Sequence, residues 1–421
     1  MRSERAFKPI DYIKISIFGA ALSFLWPSLH TLIIPLRLLE LVPEAQKNTY
    51  LGILTFCGLM LAALVQPLAG AISDRSSFHL GRRRPFIFIG TLLALLFLPS
   101  IGLAGSFLFL FLGYCLLQCA CNIAQGPFQA FIPDLVPQKR RGTASGVKNL
   151  AEILAGVAFV RIVAYFMDVY SSGGGEIWLW LAIGFPWIVL LGAMVTTVLI
   201  VKEQPLSSDS QPFSVKTMVS AYKIDAKGNP GFVWFLVSRL FILMALGTLQ
   251  SFALYFLKDV VHIPNPAGAA GDLLVTVGIF LLITAYPAGH FSDRFGRKPI
   301  ILLSGFVGTA GILVLLSAGT YTSVLVCGGL LGISAGAFLS ANWALATDLV
   351  PPGEEARYLG LTNVATAGAG ALARLIGPVI DFFNARQPGL GYSTMLVACV
   401  FYFVLGSAAV LMVREKARRD S

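Results

Sequence analysis

The chain is 421 residues long, 56% hydrophobic and only 12% charged, with a mean hydropathy of +0.78. That excludes a soluble fold of this length, because one water-facing core cannot bury so much apolar surface, and it puts the chain in lipid. The net charge of +10 would suit a nucleic-acid partner, but the placement of the basic residues excludes that reading.

Twelve stretches are long enough to cross about 30 Å of hydrocarbon at about 1.5 Å per helical residue. The first six are predicted at Tyr12 to Leu38, Thr49 to Ile72, Pro85 to Leu103, Ser106 to Ile132, Leu150 to Met167 and Ile177 to Val201. The second six are predicted at Phe232 to Leu257, Leu273 to His290, Pro299 to Ala318, Ser323 to Ala346, Leu359 to Ile380 and Met395 to Val413. They are numbered spans 1 to 12. The expectation is an all-α membrane protein of twelve transmembrane helices in two six-helix bundles. Residues 1–201 form the first bundle, 202–231 a polar linker and 232–421 the second.

Span 1 is too long for a signal-peptide core and has no small-residue cleavage site behind it, so it reads as a retained span. His30 lies between Pro27 and Pro35 and could titrate near neutrality; a neutral, hydrogen-bonded imidazole is the other reading. After span 2 comes Gly70-Ala71-Ile72-Ser73-Asp74-Arg75, closed by Gly81-Arg82-Arg83-Arg84-Pro85. Gly70 lets the end of span 2 approach a neighbour closely. Asp74 can accept from a helix amino terminus, and the arginines can pair with Asp134 or with lipid phosphates. The functional expectation is a latch that forms in one state and breaks in another; a plain basic loop is the alternative.

Span 4 carries Gln118, Asn122, Gln125 and Gln129 at i, i+4, i+7 and i+11, within about 60° of one another on a helix. Amides facing lipid are costly, so this stripe faces protein or a wet cavity. It reads either as lining for a hydroxyl-bearing ligand or as interhelical hydrogen bonding. In span 5 Glu152 is the deepest acid and a candidate proton carrier, while Lys148 four residues earlier can hold it ionised as a structural pair. Arg161 follows on the other side of that helix. Arg239 and Gln250 in span 7 and Asn342-Trp343 in span 10 join the binding candidates, an aromatic ring beside amides being a fit platform for a sugar. If Arg239 converges with Arg161 or Arg374, an anionic ligand such as a uronide or an organic acid fits better than a neutral sugar.

The loop motif returns after span 8 as Gly289-His290-Phe291-Ser292-Asp293-Arg294 and Gly296-Arg297-Lys298-Pro299. Gly81 and Gly296 are 215 positions apart, and Asp134-Leu135-Val136-Pro137 and Asp348-Leu349-Val350-Pro351 are 214 apart. Arg161 with Asp168 is matched by Arg374 with Asp381. The halves are therefore parallel repeats with a central site expected between them. The gating candidates are Gly70, Asp74, Arg75, Arg82, Arg83 and Asp134 in the first half, and Asp293, Arg294, Arg297, Asp348 and Arg357 in the second.

Lys and Arg concentrate in the two tails and the even-to-odd loops, while the opposite side carries only Arg37, Lys47, Lys258 and Arg386. This places both termini in the cytoplasm and makes the positive charge a topology signal, with anionic lipid as a further contact. All six cysteines fall within spans and have no histidine or carboxylate at metal spacing, so they read as packing residues and no metal site is expected.

On Ser73-Asp74-Arg75 with Leu80-Gly81-Arg82-Arg83-Arg84-Pro85-Phe86-Ile87, and on Asn122-Ile123-Ala124-Gln125-Gly126-Pro127-Phe128-Gln129-Ala130 leading to Asp134-Leu135, the chain resembles a major facilitator superfamily carrier. Over spans 2 to 4 it resembles the sucrose/proton symporters and the glycoside carrier group. The resemblance implies the major facilitator fold, alternating access and proton-coupled sugar transport. Gln118 and Gln129 stand where those carriers commonly have an aspartate and an arginine. An amide can bind a sugar hydroxyl but takes up no proton at physiological pH, so the resemblance does not carry proton coupling to that position.

The expected function is secondary transport of a sugar or glycoside across the cytoplasmic membrane by a monomer, coupled to a proton or another cation. The alternatives are an exporter of amphipathic or anionic compounds and a non-transporting assembly factor on the same fold. No phosphate-binding glycine loop, paired carboxylates or nucleophile-base pair occurs in the spans, so neither ATP, a cofactor nor an enzymatic reaction is expected.

Overall fold

A computed structural model describes residues 8–76, 78, 81–203, 229–317, 320–351 and 354–413, without the side chains of 139, 355–357 and 359. Most of the expected 202–231 linker lies outside the described residues. Among the described residues all regular structure is helical, and 12 helices are long and apolar enough to cross a membrane. In order they are Pro9–Leu41, Glu44–Asp74, Arg84–Leu103, Phe107–Leu135, Arg141–Ser171, Glu176–Ile200, Pro230–Asp259, Pro266–Phe295, Arg297–Leu316, Tyr321–Leu349, Gly360–Asn384 and Leu390–Leu411. Several outrun the apolar stretches. Span 5 begins at Arg141, because the polar segment before Leu150 is helix-compatible although a hydropathy window does not register it.

The chain divides into two compact units, Met1–Leu41 with Cys57–Phe213, and Val42–Phe56 with Ser214–Ser421. In the first, span 1 packs on spans 5 and 6, and span 3 on spans 4 and 6. In the second, span 7 packs on spans 11 and 12, and span 9 on spans 10 and 12. The neighbour relations repeat six spans on, as a duplicated chain requires.

Aromatic side chains fill each core. Phe24, Phe159 and Phe185 meet edge to face at 5.4, 5.4 and 5.7 Å between centroids, joining spans 1, 5 and 6, the geometry the ring quadrupole favours. Phe232 meets Tyr358 edge to face at 4.6 Å, joining span 7 to the helix Glu355–Leu372 that runs into span 11.

Small residues set the closest helix contacts. A Cβ at Gly126 of span 4 would come within 2.2 Å of the Gln66 carbonyl oxygen in span 2. At Gly332 and Gly336 of span 10 it would come within 2.5 Å of the Val277 oxygen and 2.6 Å of the Leu281 oxygen in span 8. With little hydrophobic drive between helices in lipid, backbone approach of this kind carries much of the packing. The close approach expected of Gly70 is made with Gly126, whose backbone lies 3.9 Å from a Cβ built on Gly70.

Two spans are interrupted. Span 1 widens into a π-helical turn over Ser28–Ile33, in which the Ile34 N–H reaches back to the Leu29 carbonyl. Pro35 follows, and its ring would press on the Thr31 carbonyl in a regular turn. Span 11 tightens into a 3₁₀ turn over Ala373–Ile376 before Gly377–Asn384, where Pro378 has no N–H to offer the carbonyl four residues back.

Alanine at Gly126 or Gly336 is expected to destabilise the protein by about 1–3 kcal/mol, read as a lower temperature for loss of the monodisperse peak on heating in detergent. Alanine at Gly192, where no atom lies within 4 Å of a Cβ, should leave that temperature within the scatter of the wild type.

Candidate functional site

The first unit holds a row of polar groups. Span 4 begins under a cap in which Ser106 Oγ accepts from the Phe109 N–H at 3.3 Å. Two turns in, Tyr114 is completely buried, accommodated by Gly58, where a Cβ would lie 2.3 Å from its ring. Gln118 Nε2 donates to the Tyr114 hydroxyl at 2.7 Å, and His30 Nε2 lies 2.8 Å from the same oxygen. Asn122 Nδ2 donates to the Gln118 carbonyl at 2.8 Å and to its Oε1 at 3.3 Å. Trp26 stacks on His30 at 5.2 Å.

The sequence stripe therefore splits. Gln118 and Asn122 are 1% and 2% exposed, Gln125 is half-buried and Gln129 exposed. The two deep amides bond along their own helix, and the link to span 1 runs through Tyr114 and His30. Tyr114 was not among the sequence candidates, although it extends the stripe one turn from Gln118. Hydroxyl, amide and imidazole can each donate or accept, which suits a ligand with many hydroxyls.

Glu152 and His30, the two coupling candidates, have separate partners. Glu152 Oε1 is 3.0 Å from Lys148 Nζ, with both side chains about one-fifth exposed. The carboxylate lies over Gly19 of span 1, where a Cβ would be 2.3 Å from Oε1, and Lys148 lies 5.6 Å from the centre of the Phe128 ring. Arg161 is exposed on span 5.

In the second unit the structure brings Arg239 and Asn342 together. The Arg239 guanidinium donates from Nη1 to Asn342 Oδ1 and from Nε to Thr366 Oγ1 at 2.9 Å, joining spans 7, 10 and 11. Gln250 and Trp343 are exposed, and Arg374 donates to the Gly370 carbonyl of its own helix.

The duplicated loop motif folds the same way in both units. Arg83 is buried and donates from Nε to Asp134 at 3.0 Å, from Nη1 to the Gly70 carbonyl at 3.2 Å and to Ser73 Oγ, and from Nη2 to Asp74. Arg82 also pairs with Asp134. In the second unit Arg297 donates to Asp348 at 3.1 Å, to Ser292 Oγ at 2.9 Å and to Asp293. One guanidinium thus ties together the ends of an even-numbered span, the next span and the one after it. The matched side chains are Arg83 and Arg297, at the same spacing as Asp134 and Asp348.

Glu203, which the motif reading missed, accepts from the backbone N–H groups of Arg83 and Arg84, both at 2.8 Å, an anion seated at the start of span 3. Arg75 donates to the Ala71 carbonyl, and Arg294 lies 5.6 Å from the centre of the Phe295 ring. The side chain of Arg357 lies outside the described residues.

A second charged cluster went unassigned in the sequence. Asp381 accepts from Asn48 Nδ2 at 2.8 Å and from the Thr49 N–H at 2.6 Å, so a span 11 carboxylate caps the helix Lys47–Asp74. Lys47 pairs with Asp259 at 2.6 Å, and Tyr392 donates to Asp259 at 2.6 Å. Glycines permit the contact: a Cβ at Gly377 would lie 2.2 Å from the Asn48 oxygen, and one at Gly52 2.4 Å from the Arg374 oxygen. In the first unit Arg37 does the converse, donating to the carbonyls of Ile101, Gly102 and Ala104 at 3.3, 3.3 and 2.6 Å, a cation at the end of span 3.

Comparison with known proteins decides the family. A family model described as MFS/sugar transport protein matches residues 46–416. The chain belongs to the MFS/sugar transport protein family. A sucrose transport protein of Oryza sativa subsp. indica is 22% identical over 465 residues, covering 89% of this chain and 84% of that protein. A sucrose transport protein of Arabidopsis thaliana is 31% identical over 128 residues, 26% of this chain, and a further one from Oryza sativa subsp. indica is 30% identical over 162 residues, 32% of this chain; these matches span 25% and 32% of the relatives' own lengths.

Among solved structures, the chain resembles a bacterial homolog to the human lysosomal transporter Spinster, with a TM-score of 0.70 and 17% identity over 98% of this chain and 97% of that one. It also resembles the nucleoside transporter NupG, with a TM-score of 0.73 and 15% identity over 96% and 99%. At such identities these likenesses show the fold alone, and that fold is the major facilitator fold.

For this transporter-family protein, Arg83→Ala should lower the unfolding temperature more than Arg82→Ala, because it strands Asp74 and leaves Asp134 with Arg82 alone, whereas Arg82→Ala leaves both carboxylates on Arg83; the loss is roughly 2 kcal/mol for partly exposed partners. Asp381→Asn removes a charge-assisted cap and should cost about 1 kcal/mol, measured by the same heating assay.

Proposed function

We propose that the protein is a secondary transporter that moves a sugar or glycoside across the cytoplasmic membrane by alternating access, as a monomer with both termini in the cytoplasm and with a proton as the coupling ion. The observation that carries this is the row His30–Tyr114–Gln118–Asn122, its three span 4 members buried, set in a chain whose relatives include a sucrose transport protein matched over 89% of its length. A row of groups that can donate and accept recognises hydroxyl groups by geometry. Residues 1–201 and 232–421 act as the two moving bodies in this reading. Within each, the knot around Arg83 or Arg297 gathers three helix ends so that they move together.

Glu152 is the proton site in this scheme. Ionised, it is held by Lys148 at 3.0 Å; protonated, it loses that ion pair and frees both side chains beside Gly19 of span 1. Proton uptake therefore changes a contact between spans 5 and 1, which is the kind of bistable element coupling needs.

The test is uptake of radiolabelled sugars and glycosides into proteoliposomes with and without an imposed pH gradient. A gradient-stimulated flux of at least one sugar is expected. Glu152→Gln should abolish the stimulation while leaving sugar exchange at equal pH; stimulation that survives in that variant would remove Glu152 from the mechanism. Absence of flux for sugars, organic acids and dyes alike would favour an assembly factor over a transporter.

A further inference from the structure

Four basic side chains are buried among the described residues: Arg37, Lys47, Arg83 and Arg239. Three of them meet carboxylates. Arg37 pairs with Glu40, Lys47 with Asp259, and Arg83 with Asp74 and Asp134. Among the described residues Arg239, 6% exposed, is bound only to neutral oxygens, Asn342 Oδ1 and Thr366 Oγ1. A guanidinium does not shed its proton to escape burial, so its charge needs compensation.

The hydrogen-bonding inventory points the same way. Arginine brings five N–H donors and no acceptor, and two of those donors are engaged here. The Thr366 hydroxyl is itself committed as a donor to the Thr362 carbonyl at 3.0 Å. Asn342 is completely buried, and its Nδ2 has no acceptor. Turning the amide over would not help, because its oxygen is held by Arg239. The cluster is one positive charge and several N–H groups in excess, with a lone amide donor beside the guanidinium. A carboxylate corrects both shortages at once, taking two parallel bonds from the guanidinium and one from the amide. Trp343, next to Asn342 and 45% exposed, offers a ring for a pyranose face.

We infer that Arg239, Asn342 and Thr366 form a carboxylate subsite, so that the carried molecule is an acidic sugar, a uronate or a glycoside of one, rather than a neutral sugar. This rests on the transport reading above and narrows its substrate class.

The full-length protein in detergent is heated with D-glucuronate, D-galacturonate and phenyl β-D-glucuronide, each against its neutral counterpart D-glucose, D-galactose and phenyl β-D-glucoside. The same six compounds are tested for exchange in proteoliposomes. At least one acidic member is expected to raise the unfolding temperature and to exchange, with its neutral counterpart at least ~10-fold weaker, the difference one charge-assisted contact makes. Arg239→Gln should reduce that acidic ligand's affinity at least ~10-fold.

Asn342→Asp gives a second readout should Arg239→Gln fail to fold. It places a carboxylate beside the guanidinium, so it should raise the unfolding temperature of the unliganded protein and abolish protection by the acidic compound. Neutral members that bind and exchange while their acidic counterparts do not would overturn the carboxylate subsite and leave sugar transport standing. Failure of both series would overturn the subsite, and the transport reading falls with it only if the wider panel of sugars, organic acids and dyes shows no flux either. An Asn342→Asp protein that is no more stable and still binds the uronate would overturn the subsite alone.

Discussion

The fold of each unit depends on a charge that has to be met from several directions. Arg83 is buried at the join of three helices, and its fork reaches Asp74 and Ser73 at the end of span 2, the Gly70 carbonyl one turn earlier, and Asp134 at the end of span 4. A lysine offers a single point charge and could not satisfy that spread of acceptors. Glu203 adds the chain leaving span 6 by seating its carboxylate on the N–H groups that open span 3. Four segments are thereby held at one place, and the arrangement around Arg297 shows that the solution is a property of the repeat.

The same requirement explains where the spans break. In lipid a backbone group released by proline must find a partner inside the protein. In span 1 the helix widens over Ser28–Ile33, and this irregular turn carries His30 against Tyr114. In span 11 the tight turn before Pro378 leaves the Arg374 carbonyl facing Gly52, and the Ala373 carbonyl accepts from Thr248 Oγ1 at 3.1 Å. Just beyond that turn Asp381 caps the helix that contains Gly52. Irregular backbone and polar side chains therefore occur together, and each makes the other tolerable.

The spans and their duplication were legible in the sequence because hydropathy and repeated motifs are one-dimensional signals. The knot residues were legible in kind, since the motif sets carboxylates and arginines at the ends of the same spans in both halves; repeated spacing alone does not make a pair, because Arg374 and Asp381 repeat Arg161 and Asp168 and Asp381 caps a helix instead. The register was harder: matching Gly81 to Gly296 aligns Arg82 with Arg297, whereas the contacts match Arg83 with Arg297. Both glycines adopt positive φ, 105° and 96°, so they mark the turn, and the first loop simply carries one more residue before its guanidinium. Partners contributed by distant segments, such as Glu203 or the cap that Asp381 places on span 2, leave no local pattern, and only packing reveals them. The span 4 stripe was legible as a face, but its depth was not: periodicity tells which way Gln118 and Gln129 point, not that one is buried and the other exposed.

What the two units share and what they do not is itself informative. The motif ends are superposable in chemistry, down to the serine and the two carboxylates around each guanidinium. The interiors are not. Span 4 carries a row of neutral groups at Tyr114, Gln118 and Asn122, whereas its counterpart, span 10, offers Asn342 to a buried arginine from span 7. Asp168 and Asp381 occupy equivalent positions, yet Asp381 caps a helix while the Asp168 carbonyl receives the hydroxyls of Ser171 and Ser172. Helix ends that face the same demands keep the same solution after duplication. Buried middles are free to diverge, and here one unit has come to hold a row of amides and a phenol while the other holds a guanidinium bound to neutral oxygens.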